Sequence, residues 1–398
     1  MSRTTGTTVR GIRIPIVKQG DDLVNMVVES VLTAAEAEGF TLKDRDVVGV
    51  TESVLARAQG NYITLDGIAQ EIKHKFGGEN LGIVFPILSR NRFSIILKGL
   101  ARGAQKVIML LSYPCDEVGN HLMDIDKMDQ LGLNSSADVL TEKEYRRMFG
   151  DDVKHPFTGI DYIQMYREIV QSEGADLEVL LGNDPRIILQ YTKKVLAADV
   201  HNRARTKRIL RQAGAEVIFG LDDICTVPVN GDGYNEQYGL LGSNKSTEEQ
   251  IKLFPREGAV FVQTVQDKFK TATGKTVEVM IYGDGAFKDP VGKIWELADP
   301  VVSPAFTNGL WGLPNELKLK YFADNQLKDL SGESCQEEMK KYIRSKKQNL
   351  IGSMDSQGTT PRQLTDLLGS LCDLTSGSGD KGTPVVLIQG YFDNYACE

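Results

Sequence analysis

Residues 81–114 read LGIVFPILSRNRFSIILKGLARGAQKVIMLLSYP. Two apolar runs rich in Ile, Leu and Val flank a stretch whose apolar residues recur at helical spacing. This is a strand, a helix and a second strand, the unit from which parallel sheets are built. The pattern returns in GIDYIQMYREIVQSEG (helix), DLEVLLG (strand), RARTKRILRQAGA (helix) and EVIFG (strand), which end at residue 220. Such alternation calls for a parallel sheet flanked by helices. Between the two runs, 116–155 reads as a polar, irregular excursion over the surface.

The flanking segments have another rhythm. VRGIRIPIV (9–17) alternates as a strand. GDDLVNMVVESVLTAAEAEGF follows as a helix, with Asp21 or Asp22 as its cap and Gly39 as its stop. LKDRDVVGVTESVLARAQGNYI gives a strand ending near Val50 and then a polar turn, and LDGIAQEIKHKFG a second helix. From 221 on, glycine-rich polar turns separate expected short strands in ICTVPVNGDGYNEQYGLLGSN, GAVFVQTVQDKF and KTVEVMIYGDGAFKDPVGK. Helices are expected in SCQEEMKKYIRSKKQ and TPRQLTDLLGSLCDLTS, with a last strand in TPVVLIQGYF. The fold class is therefore α+β, in three segments: 1–80, 81–220 and 221–398.

At 398 residues the chain suits two or three domains. A net charge of −8 argues against a nucleic-acid partner. The five cysteines form no C-x-x-C pair and read as reduced thiols. No apolar run approaches a bilayer span, and the opening residues lack the apolar core of a secretory leader. The expected location is the cytoplasm, with no membrane partner.

Several stretches carry groups suited to anions or hard metals. In VMIYGDGAFKDP an apolar strand delivers Asp284 into a Gly-flanked turn, with Lys288 and Asp289 beyond. Carboxylates so placed suit Mg2+ or Mn2+; an ordinary Asp-Gly turn reads the same way. VNGDGYNEQYGLLGSN sets Asp232 between two glycines and ends in Ser243 and Asn244. Such a loop can turn backbone N–H groups toward phosphate, although its glycines fit no P-loop or Rossmann spacing. TESVLARAQGNY carries Ser53, Arg57 and Gly60 on leaving a strand, and Arg57 can grip an oxyanion as a fork. TSGSGDKGTP brings Gly377, Gly379, Asp380 and Lys381 just before the last strand. SRNR (89–92) opens a helix with two arginines, and RARTKR (203–208) reads as a solvated helix face.

Taken together these stretches resemble the coenzyme F420-0 gamma-glutamyl ligases. IRIPIVKQGDDLVNMVVES is similar to that family's opening strand and first helix, and LKDRDVVGVTESVLARAQGN to its second strand and turn. LLGSNKSTEEQIKLFP resembles its Ser-Asn loop, VEVMIYGDGAFKDP a strand ending in a metal-binding Asp, and LTDLLGSLCDLTSGSGDKGTPVVLIQG its closing helix, glycine loop and strand. The likeness covers about 9–78 and 222–392, so that 81–220 reads as an inserted α/β lobe on a ligase-like core. Departures occur as well. The family's Lys and Ser in the second-strand turn are Ser53 and Ala56 here, and its second Lys and Glu are Arg57 and Gln59. One metal-binding Asp falls near Leu241, with Asp232 as a nearby substitute, and Asp284 matches the other with one residue gapped.

The resemblance implies a nucleotide- and metal-dependent gamma-glutamyl ligase. GTP and Mg2+ or Mn2+ would be its cofactors, and L-glutamate and a carboxylated small molecule its substrates, in a homodimer. Mapped onto this chain, the implied catalytic groups are Lys288, Arg57 and Lys381, and the metal ligands are Asp284 and Asp232. The nucleotide would meet Ser53, Gly60, Asn244, Gly377, Gly379 and Asp380. Two other readings stand beside it: a folate-type glutamyl ligase, and a non-catalytic binding homologue that has lost metal ligands.

Overall fold

The computed structural model describes residues 4–397 except 91, 152, 156–157, 284–285, 290–293, 298–302, 357–361 and 377–379; for 286–289, 294–297 and 376 it describes the backbone alone. Its strands are β1 (Thr8–Ile12), β2 (Val47–Thr51), β3 (Tyr62–Thr64), β4 (Asn80–Val84), β5 (Lys106–Leu111), β6 (Leu140–Thr141), β7 (Asp176–Leu181), β8 (Lys194–Ala197), β9 (Val217–Gly220), β10 (Asn244–Lys245), β11 (Gln250–Lys252), β12 (Glu278–Tyr282), β13 (Ala286–Asp289), β14 (Ile294–Leu297) and β15 (Val385–Gln389). The helices are α1 (Leu23–Glu38), α2 (Glu52–Gln59), α3 (Leu65–Phe76), α4 (Phe93–Arg102), α5 (Ile125–Gln130), α6 (Glu142–Phe149), α7 (Tyr162–Ser172), α8 (Arg203–Gln212), α9 (Gly258–Thr273), α10 (Leu319–Asp324), α11 (Gly332–Arg344) and α12 (Leu364–Ser376).

The chain divides into two compact units, one of residues 1–58 with 257–398, the other of 59–256. The segment 81–220 thus lies inside a larger unit that also takes in α3 and residues 221–256.

The first unit is built on a four-stranded sheet ordered β1-β15-β2-β12. β15 runs antiparallel to both β1 and β2, whereas β12 runs parallel to β2. Alternate residues supply two cores, as the period of a pleated strand requires. Val48, Val50, Val279, Ile281, Val385 and Leu387 face the cluster that α1 and α9 complete. Val47, Met280, Tyr282, Val386 and Ile388 face the cluster completed by α12. Gly49 lets α12 approach closely, since a Cβ there would stand 2.5 Å from Cys372 Sγ. Asp22 caps α1 by accepting the Asn25 N–H, and Gly39 ends it with a left-handed backbone at φ 70°.

The second unit holds a six-stranded sheet ordered β6-β7-β5-β4-β8-β9. Its strands are parallel except for β6, which pairs antiparallel with β7. The alternation again serves two faces. Leu81, Ile83, Val107, Met109, Leu177 and Val179 point into the core shared with α3, α4 and α7. Val84, Ile108, Leu110, Val195 and Ala197 pack with Leu210 of α8 on the other side.

Four local expectations are corrected. Residues 116–155 are not merely an excursion: α5, β6 and α6 lie there, and Leu122, Met128, Leu140 and Tyr145 are buried in the core. GAVFVQTVQDKF is helix α9 rather than a strand, because Phe261, Val262, Val265 and Phe269 share one helical face. The polar turn after Val50 is helix α2. The helix expected to open at SRNR begins only at Phe93, and the Ser89 hydroxyl accepts the Arg92 N–H ahead of it.

Candidate active site

Strand direction brings three of the sequence-predicted segments to one edge of the first unit's sheet. β2 and β12 are parallel and in register from Val47–Glu278 to Thr51–Tyr282, so both end at this edge. β15 begins there, with Val385 opposite Val50. The Thr51 N–H donates to the Pro384 carbonyl at 3.0 Å, and the buried Tyr282 hydroxyl reaches the same carbonyl at 3.5 Å. The segment 51–57, Gly283 and the segment 380–384 therefore meet the sheet side by side.

Within these segments, Ser53 lies in the first turn of α2, where its N–H donates to Thr51 Oγ1 at 3.2 Å. Glu52, at the start of the same helix, is buried. Arg57 is exposed in the last turn. Asp380 and Lys381 are exposed in the turn before β15, and Gly382 takes a left-handed φ of 65° that favours glycine. The edge thus offers a serine and an arginine on α2, and a carboxylate and a lysine on the turn before β15, all held by buried strands. Such groups can bind and neutralise a polyphosphate.

Asp284, Gly377 and Gly379 lie outside the described residues. Lys288 is on β13, opposite Trp295 of β14, with only its backbone described.

The remaining predicted residues belong to the second unit. Gly60 adopts φ 61°, and its carbonyl accepts the Tyr62 N–H. Asn244 opens β10, opposite Lys252 of β11. Asp232 is committed to structure: its Oδ2 accepts both the Thr64 N–H (2.9 Å) and the Thr64 hydroxyl (2.6 Å). Thr64 in turn caps α3 by accepting the Gly67 N–H. The glycines of that loop serve packing. A Cβ at Gly233 would meet Asn61 Oδ1 at 2.5 Å, and one at Gly242 the Phe254 ring at 2.1 Å.

Sequence reading missed the residue that organises this loop. Asn61 is fully buried and donates to the Tyr234 and Phe254 carbonyls while accepting the Tyr234 N–H. Its only sequence signal is an amide between a glycine and an apolar strand. Ser243, beside Asn244, is buried, with a hydroxyl that has no partner among the described residues. Among the described residues no group of three or more His, Cys, Asp or Glu side chains could hold a metal ion. Asp284, which the family resemblance implies as a metal ligand, lies outside the described residues.

Fold and edge define a mixed α+β protein whose first unit gathers polar loops at one end of a central sheet. Residues 11–390 match the family model of the F420-0:gamma-glutamyl ligases, and the chain belongs to that family. The match spans both units. Comparison with curated proteins finds no match. No helix among the described residues is long and apolar enough to cross a membrane.

Proposed function

We propose that the protein is a nucleotide-dependent gamma-glutamyl ligase acting on a carboxylated small molecule, with F420-0 as the acceptor its family suggests. One observation carries this reading beyond family membership: the segments holding Ser53, Arg57, Asp380 and Lys381 leave the same sheet edge, joined through Thr51 and Pro384. In the reaction, the acceptor carboxylate attacks the γ-phosphorus of GTP. An acyl phosphate forms and GDP leaves. The glutamate amine then attacks the acyl carbon, phosphate departs, and the amine gives up a proton as the amide forms. Lys381 and Arg57 neutralise phosphate charge as it moves, and the Ser53 hydroxyl donates to a phosphate oxygen. A divalent cation, when bound, supplies further charge neutralisation at the phosphates, and Asp284 is the carboxylate we assign to it. The parallel-sheet lobe is read as an addition to the ligase core.

The test is incubation with F420-0, glutamate, GTP and Mn2+, followed by mass analysis of the acceptor. Growth of the acceptor by one glutamyl residue, with equal GDP release, is expected. Glutamate-dependent GDP release with another carboxylate acceptor, such as a folate, would keep the ligase and change the acceptor. If GTP and Mn2+ produce neither product nor a thermal shift, the reading fails in favour of a binding homologue.

A further inference from the structure

The second unit carries a feature that the ligase reading does not use. In chain order its parallel strands are β4, β5, β7, β8 and β9, and in space they lie β7-β5-β4-β8-β9. The chain builds outward from β4 in one direction, then returns to build from β8 in the other. The helix after β4 packs on one face of the sheet and the helix after β8 on the other. The chain therefore leaves the neighbouring strands β4 and β8 toward opposite faces of the sheet, the switch-point topology whose loops frame a crevice at the carboxyl ends of the strands. In open α/β sheets, this switch point is where ligands bind.

The loop after β8 is built for an oxyanion. The N–H groups of Val200 and His201 both donate to one carboxylate, that of Glu117 from the loop after β5, the second at 3.1 Å. Two successive amides on one oxyanion form a cradle. The ten-residue helix α8 begins just beyond, at Arg203, with no side-chain cap and no acid in its first turn. Arg203 and Arg205 occupy that turn, Arg203 paired with Asp222 at 2.7 Å, so the acids that face the positive end of the helix come from outside it.

A second, independent observation concerns Asp199. The residue is 1% exposed, and its Oδ2 accepts the Thr206 hydroxyl at 2.7 Å, which sets the carboxylate against the start of α8. Its Oδ1 is buried and has no hydrogen-bond partner among the described residues. An unpaired buried carboxylate oxygen is costly, and a donor group supplied by a ligand would satisfy it. Burial, with Glu117 adding a smaller effect, pushes the Asp199 carboxyl up to about 6. Phe85, at the end of β4, holds a left-handed φ of 56° beside the same crevice.

We propose that this crevice is a second ligand site that takes the phosphate of a hydroxylated small molecule, a sugar or nucleoside phosphate. The phosphate would replace the Glu117 carboxylate on the Val200 and His201 amides, and a ligand hydroxyl would donate to Asp199 Oδ1.

The test is calorimetric titration of the full chain with ribose 5-phosphate and with inorganic phosphate, and the Glu117, Asp199 and Arg205 variants tell this site from the ligase site, whose residues they leave in place. Wild type should bind ribose 5-phosphate, and Glu117→Gln should bind it at least tenfold more tightly because the internal competitor has lost its charge. Asp199→Asn should weaken ribose 5-phosphate several-fold and leave inorganic phosphate unchanged. Arg205→Glu changes an exposed side chain in the first turn of α8, and should weaken both ligands at least tenfold. Absence of binding in both wild type and Glu117→Gln, or affinities indifferent to Glu117→Gln and Arg205→Glu, would overturn the proposal.

Discussion

The two central sheets obey the same pleated alternation but are assembled in opposite ways. In the parallel sheet of the second unit, β4 pairs with β5 and β8 with β9 across one helix each, and a single long crossover sets β4 beside β8. In the first unit the sheet is made from distant parts of the chain: Thr8–Ile12 pairs with Val385–Gln389, and Val47–Thr51 with Glu278–Tyr282. Locally built sheets announce themselves in the periodicity of the sequence. A sheet closed over long separations does not, and the loops that such closure brings together acquire a common location only in the fold.

That difference can be broken at chosen points. The largest effect is expected at Asn61, where three backbone groups of the 229–256 segment depend on one amide. Asn61→Ala leaves them without this partner in a buried place, and should cost about 3 kcal/mol, since each unmet group carries a penalty of ~1–3 kcal/mol. Urea unfolding would register it as a lower midpoint, and an unchanged midpoint would remove Asn61 from its organising role.

Gly49→Ala tests the first unit in the same way. The added Cβ would stand 2.5 Å from Cys372 Sγ and push α12 away from the sheet. Overpacking of this kind costs ~1–3 kcal/mol. The double variant Gly49→Ala with Cys372→Ala should recover part of the lost melting temperature, which a purely backbone effect would not.

A smaller effect is expected in the ion network that ties α4 to α3, α7 and the residues before β11. Arg102 meets Asp66 at 2.7 Å, Glu173 at 2.7 Å and Glu249 at 2.9 Å, and Lys98 meets Glu249 at 2.7 Å. Hydrogen bonds from Arg102 and then Lys98 hold the Glu249 carboxyl down to about 2. A depressed carboxylate contributes stability above its unfolded pKa of about 4.3 and loses that contribution as pH falls toward 2. Melting temperature should therefore drop across this window. Arg102→Met should flatten the drop and cost about 1 kcal/mol near neutral pH, because the network is largely solvent-facing. An equally steep acid transition in the variant would detach the network from it.

Lys381→Ala should cost the least stability, within about 0.5 kcal/mol for an exposed turn residue. If the proposed function holds, it should slow glutamate-dependent GDP release on the order of 100-fold. A stable variant with full turnover would exclude Lys381 from the site.

Much of this architecture can be read directly from residue order. The parallel sheet, the caps of α1 and the strand at Val47–Thr51 follow from period and punctuation. Helix α9 does not, since Val260, Phe261 and Val262 in succession mimic a strand until Val265 and Phe269 are placed on the same face. Nor does the role of the Asp232 loop. Its glycines and acid have the composition of an anion site, yet in the fold Gly233 and Gly242 make room for Asn61 and Phe254, and Asp232 secures Thr64. Composition cannot separate these roles, because the partners that decide them lie elsewhere in the chain. Conversely, Ser53 and Lys381, assigned to one site by the family resemblance, stand on segments that the pairing of β2 with β15 brings together.

The central claim is that GTP acts at the edge where β2 and β12 end and β15 begins. Backbone hydrogen exchange followed by mass spectrometry, with and without GTP and Mn2+, tests it most directly. Peptides covering 51–57 and 380–384 should become protected together, while the interior of the parallel sheet is unchanged. Nucleotide-dependent protection that spares both peptides would contradict it.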